Sequence, residues 1–105
     1  METLRAQLKA LSKRYSLEII SGLLDGPQYI SKLSESLGIP YTTTQQRVAE
    51  LERAGLVRIE PDIDDASKRA IKLVSLLNFR LELSPRRIYT MVTGEEKEQI
   101  EKMKI

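Results

Sequence analysis

Hydroxyl and carboxamide side chains are concentrated in one short stretch, residues 41–46, which reads Tyr-Thr-Thr-Thr-Gln-Gln. A glutamine amide can bond the edge of an adenine at two points, and a threonine offers a hydroxyl to bases or phosphates and a methyl group to thymine. If the stretch starts a helix, its free backbone N–H groups also suit a phosphate oxygen. The same residue types suit a helix start that only faces solvent, so the stretch by itself leaves both interpretations open.

A helix over about residues 41–54 would turn these side chains outward. At about 100° per residue, Thr44, Val48 and Leu51 share one inner face with Gly55 at its end. The opposite face and its flanks consist of Thr42, Thr43, Gln45, Gln46, Ala49 and Arg53. Such a helix needs neighbouring elements that bury its inner face.

Both ends of this helix carry signals of their own. Thr42 and Gln45 have the spacing of a capping box, which would satisfy free N–H groups at the start. Gly55 predicts a Schellman ending, in which Leu56 contacts Leu51. The sequence therefore predicts a well-bounded fourth helix.

Three further helices are predicted before it. The apolar face of the first comprises Leu4, Leu8, Leu11 and Tyr15. The second begins at about Ser16 and ends at residues 25–27, Asp-Gly-Pro, and the third is capped by Ser31 and ends at Gly38. The buried stripe predicted for the second helix comprises Leu17, Ile20 and Leu24, widened by Ile19 and Leu23.

After Gly55 the apolar period changes to alternation, which indicates strands. Residues 56–60 and 70–73 predict a β-hairpin with a long loop over residues 61–69, and residues 79–83 and 88–92 predict a second hairpin. The pair Thr93 and Glu96 has capping-box spacing and predicts a last helix, whose thin apolar stripe comprises Ile100 and Met103. The expected fold is α+β, with one domain over residues 1–92 and a C-terminal dimerisation helix over residues 93–105.

The amino-acid composition excludes most kinds of enzyme chemistry. The 105 residues include no cysteine and no histidine, which excludes disulfides, thiolate metal sites and imidazole bases. The sequence has no Gly-rich phosphate loop or paired catalytic motif, so we expect neither an enzyme nor a bound cofactor. Apolar runs are far shorter than the roughly 20 residues of a spanning helix. No leader opens the chain, so we expect a cytoplasmic protein.

Charge is unevenly distributed, although the net charge is only +2. Residues 61–65 carry three aspartates and no base, whereas residues 66–93 carry six basic side chains and one acidic one. A local basic excess fits a polyanionic partner and fits a solvated sheet face equally well. The three aspartates fail the calcium-loop pattern, because Ser67 and Leu73 stand where it needs glycine and glutamate. We therefore expect turn-forming aspartates and no metal site.

The order of helix, glycine turn, helix and hairpin is that of a helix-turn-helix followed by a wing. Four segments carry this pattern: Leu-Ser-Lys-Arg-Tyr-Ser-Leu-Glu-Ile-Ile-Ser-Gly-Leu-Leu over residues 11–24, Ile-Ser-Lys-Leu-Ser-Glu-Ser-Leu-Gly-Ile over residues 30–39, the threonine and glutamine helix, and Ala-Gly-Leu-Val over residues 54–57. Over about residues 8–76 the sequence resembles the winged-helix core of ArsR-type transcriptional repressors. It is similar, more loosely, to MarR-type and other archaeal winged-helix regulators.

The resemblance implies a homodimer that binds a palindromic operator in double-stranded DNA. By the family's pattern, the fourth helix would read bases in the major groove, and the hairpin loop would approach the adjacent minor groove or its phosphates. The implied DNA-binding residues are Tyr41, Thr42, Thr43, Gln45, Gln46, Arg47, Arg53, Lys68 and Arg69. The first and last helices would form the dimer interface, through Leu4, Leu8, Ile100 and Met103.

Two departures from the family pattern matter. The third helix lacks the Cys-x-Cys pair of metal-sensing members, so we expect no soft-metal sensing. The hairpin loop has an acidic tip at residues 62–65, where a DNA-binding wing is usually basic. Two alternatives therefore stay open: a winged-helix module that docks on other proteins, and a non-specific chromosomal DNA-binding protein. The sequence specifies neither the operator nor an effector ligand.

Overall fold

A computed structural model describes residues 3–94 of the chain. Within them, five helices and a three-stranded antiparallel sheet form the expected α+β fold. In chain order the elements are α1 (Thr3–Ser12), α2 (Ser16–Gly22), β1 (Gln28–Tyr29), α3 (Ile30–Leu37), α4 (Tyr41–Arg53), β2 (Val57–Ile63), β3 (Ala70–Leu76) and α5 (Pro85–Thr93). None of these helices combines the length and apolarity that crossing a membrane requires. The last helix predicted from the sequence, with Ile100 and Met103, lies outside the described residues.

One apolar core joins the helices to the sheet. It comprises Ala10, Ile19, Leu23, Ile30, Leu33, Val48, Leu51, Ala54, Leu56, Val57 and Val74. Fully burying a valine, leucine or isoleucine side chain of this kind stabilises the fold by about 1.5–3 kcal/mol. Because the core takes side chains from α3, α4, β2 and β3 alike, it fixes the position of α4 relative to the β2–β3 hairpin.

The buried face of α2 differs from the predicted one. Leu17 and Leu24 are 62% and 78% exposed, so the predicted stripe was wrong at both positions. Ile19 and Leu23, predicted to widen the stripe, are buried, and Ser16 is buried as well. Tyr15 has a left-handed φ of 76°, so α2 starts a new helix whose phase does not continue that of α1. α2 also ends at Gly22, before the predicted stop at residues 25–27.

A Schellman motif closes α4, as the sequence predicts. The Leu56 N–H donates to the Leu51 carbonyl at 3.0 Å, and the Gly55 N–H donates to the Glu52 carbonyl at 2.9 Å. Leu51 and Leu56 are both completely buried. Gly55 has a φ of 80°, the left-handed conformation that this ending requires.

The predicted caps at the starts of α3 and α4 were wrong. Tyr29 still pairs with Leu73 in the sheet, and α3 begins directly after it, so Ser31 lies inside the helix. α4 begins directly after Pro40, which enters it in an extended conformation, so Thr42 is also a helical residue. Among residues 3–94, no side chain caps either start.

The sheet has the strand order β1-β3-β2, and β2 and β3 form the predicted hairpin. Its strands are longer than predicted, because pairing continues to Ile63 opposite Ala70 and leaves only residues 64–69 in the loop. Pro61 does not interrupt the ladder, since β2 is an edge strand on which a missing N–H can face solvent.

The second predicted hairpin does not form. Residues 77–84 belong to no strand, and residues 85–93 form α5. Pro85 occupies the first turn, where a missing N–H costs nothing, and the Ser84 hydroxyl accepts a hydrogen bond from the Arg87 N–H at 3.0 Å. These two start signals outweigh the β-branched composition of residues 88–92. Thr93, predicted to cap the next helix, is instead the last residue of α5.

Candidate nucleic-acid interface

α4 presents a polar surface at its N-terminal end. Its inner face is completely buried and comprises Thr44, Val48 and Leu51. On the opposite face, Thr42, Gln46 and Arg53 are exposed, and Tyr41, the first residue of the helix, is 46% exposed. Thr43, Gln45 and Ala49 are half-buried at its flanks. The predicted division of this helix into inner and outer faces is therefore confirmed.

The first backbone N–H groups of α4 are available for hydrogen bonds to a ligand. Pro40 carries no N–H, and its carbonyl accepts from both the N–H and the hydroxyl of Thr44 at 3.0 Å. The first N–H groups of any α-helix lack partners within the helix, and no side chain caps those of α4. The open end of the helix dipole therefore lies beside the exposed Thr42 hydroxyl, an arrangement suited to an anion such as a phosphate.

Hydrogen bonds within the protein hold the Arg47 side chain away from this surface. Its Nε donates to the Arg14 carbonyl at 2.9 Å, and its Nη1 lies 3.4 Å from a carboxylate oxygen of Glu50. Lys13 reaches the other oxygen of Glu50 at 3.8 Å. The Arg47 side chain is only 18% exposed, so the fold uses it to join α4 to the segment between α1 and α2.

The hairpin loop is ordered by one aspartate. The Asp64 carboxylate accepts from the backbone N–H of Ser67 at 3.0 Å and from its hydroxyl at 2.6 Å. These two hydrogen bonds lower the pKa of Asp64 below its usual 3.8. Lys68 takes a left-handed φ of 61°, and it and Arg69 are exposed next to this turn. Asp64 is thus a turn former, as expected.

A second aspartate of the acidic stretch is held by a tyrosine. The Tyr29 hydroxyl donates to the Asp62 carboxylate at 3.0 Å. The accepting carboxylate, through this hydrogen bond and its negative charge, raises the pKa of Tyr29 above the usual 10.0. Tyr29 was not among the predicted site residues. No local signal marks it, because its partner is 33 residues away in the sequence.

Between the hairpin and the helix starts lies an open cleft of about 850 Å³. Tyr29, Ser31 and Tyr41 line its side on the domain body, and Asp62 and Arg69 are among the residues that line it from the hairpin. Asp64 and Asp65 add two more carboxylates. The cleft therefore joins the start of α4 to the hairpin, and its lining is acidic with Arg69 as the single base among these residues.

The residues expected at a dimer interface divide into two groups. Leu4 is 6% exposed and Leu8 is half-buried within the single chain, so Leu4 has little surface left for a partner. Ile100 and Met103 lie outside the described residues. Apolar surface is instead available on α5, where Ile88 is 43% and Val92 is 64% exposed.

Comparison with solved structures identifies the architecture. Reduced HlyU from Vibrio cholerae N16961 superimposes with a TM-score of 0.60 at 25% identity, over 72% of this chain and 74% of that one. An ArsR family transcriptional regulator gives a TM-score of 0.62 at 16% identity, with 98% of both chains covered. A transcriptional regulator homologue from Pyrococcus horikoshii OT3 gives 0.59 at 23% identity over the full length of both chains.

The fold is the winged helix-turn-helix fold of ArsR-type regulators. In this winged helix, α3 and α4 form the helix-turn-helix and the β2–β3 hairpin is the wing. No protein-family model matches the sequence. No curated protein matches it either. The winged-helix assignment therefore rests on the three-dimensional likeness together with the sequence segments that predicted it.

Proposed function

We propose that this chain is a sequence-specific, double-stranded DNA-binding transcriptional regulator that acts as a homodimer. The observation that carries the proposal is the outward face of α4, where Thr42 and Gln46 are exposed above a completely buried inner face. The major groove of B-DNA admits one α-helix, and its base edges match hydroxyl and carboxamide groups. The names of two structural neighbours, both transcriptional regulators, support the same function.

Each predicted contact would have a distinct part in binding. Gln46, with Tyr41, Thr42, Thr43 and Gln45 around it, would read base edges, and the free N–H groups at the start of α4 would hold a phosphate. Arg53, exposed on the last turn of α4, would contact the backbone farther along the groove. Arg47 would act indirectly, since its bonds to Arg14 and Glu50 fix the orientation of α4.

The hairpin would contribute charge from its tip. Lys68 and Arg69 are exposed there and would approach phosphates beside the major-groove site. Asp62 and Asp64 already accept hydrogen bonds from Tyr29 and Ser67, which holds their carboxylates in fixed positions within the protein.

A homodimer would give two copies of α4 related by a two-fold axis. Half-sites would then lie about 34–36 Å apart on one face of a palindromic operator. The exposed apolar side chains Ile88 and Val92 on α5 supply surface for such an interface, with Leu8 of α1 half-exposed as well. The proposal assigns the chain no reaction and no cofactor.

The acidic cleft favours a second candidate, a winged-helix module that docks on a basic surface of another protein. A gel-shift titration with random duplex DNA at low salt separates the two functions. The regulator retards the duplex, and selection from a random pool then enriches one palindromic sequence. A docking module gives no retardation, and a non-specific chromosomal protein gives retardation without enrichment; either result would reject the proposal.

A further inference from the structure

Within the described part of the chain, residues 78–83 have no backbone hydrogen-bond partner. The Leu77 N–H donates to the Leu56 carbonyl at 3.1 Å, and the next backbone hydrogen bond along the chain is that of the Ser84 carbonyl with the Ile88 N–H. Between them, no N–H or carbonyl of residues 78–83 bonds to another backbone group of the described chain. The segment is therefore available to pair with a strand from outside the chain.

The burial of its side chains alternates as in a β-strand. Phe79 and Leu81 are half-buried, whereas Asn78, Arg80 and Glu82 are exposed. Phe79 packs against the core of its own domain. Successive side chains of an extended chain point to opposite sides, so in an extended conformation Phe79, Leu81 and Leu83 share an apolar side and Arg80 and Glu82 share a charged side.

The sequence Phe-Arg-Leu-Glu-Leu over residues 79–83 is complementary to itself in antiparallel register. If Leu81 lies opposite Leu81 of the partner subunit, Arg80 lies opposite Glu82 of the partner subunit, and the reverse pair forms as well. In the same register Leu83, which is 53% exposed, lies opposite Phe79 of the partner subunit. Opposite charges and apolar pairs facing each other across an antiparallel ladder are the pairs that stabilise a sheet.

We propose that residues 79–83 of two copies of this chain pair as an antiparallel two-stranded ribbon, with the two-fold axis at Leu81. Arg80 and Glu82 form no ion pair elsewhere in the described chain, which leaves both for the partner. The partner's Phe79 would cover the exposed Leu83 at the edge of the core. Because the charge pattern is complementary to itself, the binding partner that it specifies is a second copy of the same chain.

The ribbon rests on the homodimer proposed above and adds to it a specific register. A two-stranded ribbon alone is marginal in water, so it needs the neighbouring helices of the dimer to persist. α5 begins directly after the segment, at Pro85, so the exposed apolar residues Ile88 and Val92 follow the ribbon closely in the chain.

Cysteine crosslinking of the full chain tests the register, because the protein has no cysteine of its own. In the ribbon the two copies of residue 81 have Cα atoms about 4.5–5.5 Å apart, within the range of a disulfide. Two copies of residue 83 would be about 13 Å apart, since they are offset by four residues. We expect Leu81→Cys to form covalent dimers at least ten times faster than Leu83→Cys under the same mild oxidant, although Leu83 is the more exposed leucine.

Charge reversal provides a second test on two exposed residues, Arg80 and Glu82. We expect Arg80→Glu and Glu82→Arg each to raise the dimer dissociation constant about tenfold in sedimentation equilibrium, because each variant places like charges opposite each other twice. The double variant should return to within about threefold of the unaltered protein.

The outcomes separate the ribbon from the proposed function. A chain that dimerises and binds its selected DNA, but crosslinks no faster through Leu81→Cys than through Leu83→Cys, overturns the ribbon and keeps the regulator. A double charge reversal that stays as weak as the single variants also overturns the ribbon. A chain that is monomeric at all concentrations overturns both the ribbon and the homodimer.

Discussion

The Tyr29 hydroxyl reaches across β3 to the Asp62 carboxylate on β2, at a distance of 3.0 Å. Tyr29 itself pairs only with Leu73 of β3, so its ring spans the central strand to contact the edge strand. Because α3 begins at the next residue, this bond ties the start of the helix-turn-helix to the hairpin. This contact adds to the core a second link between the hairpin and the helix-turn-helix.

This contact predicts the pH response of Tyr29. The pKa of Tyr29 is raised above 10.0, chiefly because Asp62 accepts the phenolic hydrogen bond and secondly because of its charge. The stabilisation from this contact is therefore fully present below pH 10.0. It is lost as the pH rises through the raised pKa of Tyr29 in the folded protein. We expect Asp62→Asn to lower the pKa of Tyr29 towards 10.0 in an NMR titration of its ring resonances.

Asp65→Asn is the matched control, since Asp65 acts on the phenol only through its distant charge. It should lower the pKa of Tyr29 by less than Asp62→Asn does. Equal shifts in the two variants would show that general negative charge, and not the hydrogen bond, determines the titration.

Replacing Gln46 tests base reading. If Gln46 bonds one base at two points, Gln46→Ala should reduce the discrimination at that position by about 1–3 kcal/mol. Competition between the selected operator and single-base variants measures this loss. Gln7→Ala, which removes the same side chain from α1, should leave the preference unchanged. An unaltered preference in Gln46→Ala would move the base contact to another residue of α4.

Lys68 should affect all DNA sequences alike. With about five phosphate contacts per dimer, log K should fall against log salt with a slope of roughly −4 to −5. Losing one phosphate contact from each subunit should flatten this slope by about 2. Asparagine is the suitable replacement, because it removes the charge and tolerates the left-handed φ of 61° at this position.

The control for Lys68→Asn is Lys9→Asn on α1, away from the hairpin. Fluorescence anisotropy at several salt concentrations gives the slope for each protein. A slope equal to that of the unaltered chain would show that Lys68 does not contact phosphate. In that case the phosphate contact proposed for the hairpin would fall to Arg69.

Local signals were sufficient to predict most of the fold. The inner face of α4, its glycine ending and the β2–β3 hairpin all follow from spacings within a few residues, and each is confirmed. The prediction failed where two local signals compete. Residues 88–92 are rich in β-formers, but Ser84 and Pro85 start a helix, and a start signal with a satisfied N-cap outweighs a weak residue preference.

The geometry of the site was less predictable than the fold. Thr42 and Gln46 were placed correctly, because helical periodicity alone decides which side they face. The bonds of Arg47 to Arg14 and of Tyr29 to Asp62 each span 33 residues. Contacts of this range depend on how the packed elements meet, and no spacing within one element contains that information.

Gly55 offers a test of the ending of α4. Its φ of 80° is left-handed, and a Cβ added there would meet no atom within 4 Å, so only backbone conformation opposes a side chain. We expect Gly55→Ala to lower the free energy of unfolding by about 1–2 kcal/mol, measured by urea denaturation. Gly55→Asn should lose less, because asparagine adopts this conformation more readily. If the alanine variant were as stable as the unaltered protein, the end of α4 would not require a left-handed residue at position 55. The contact between Leu56 and Leu51 would then not depend on that conformation either.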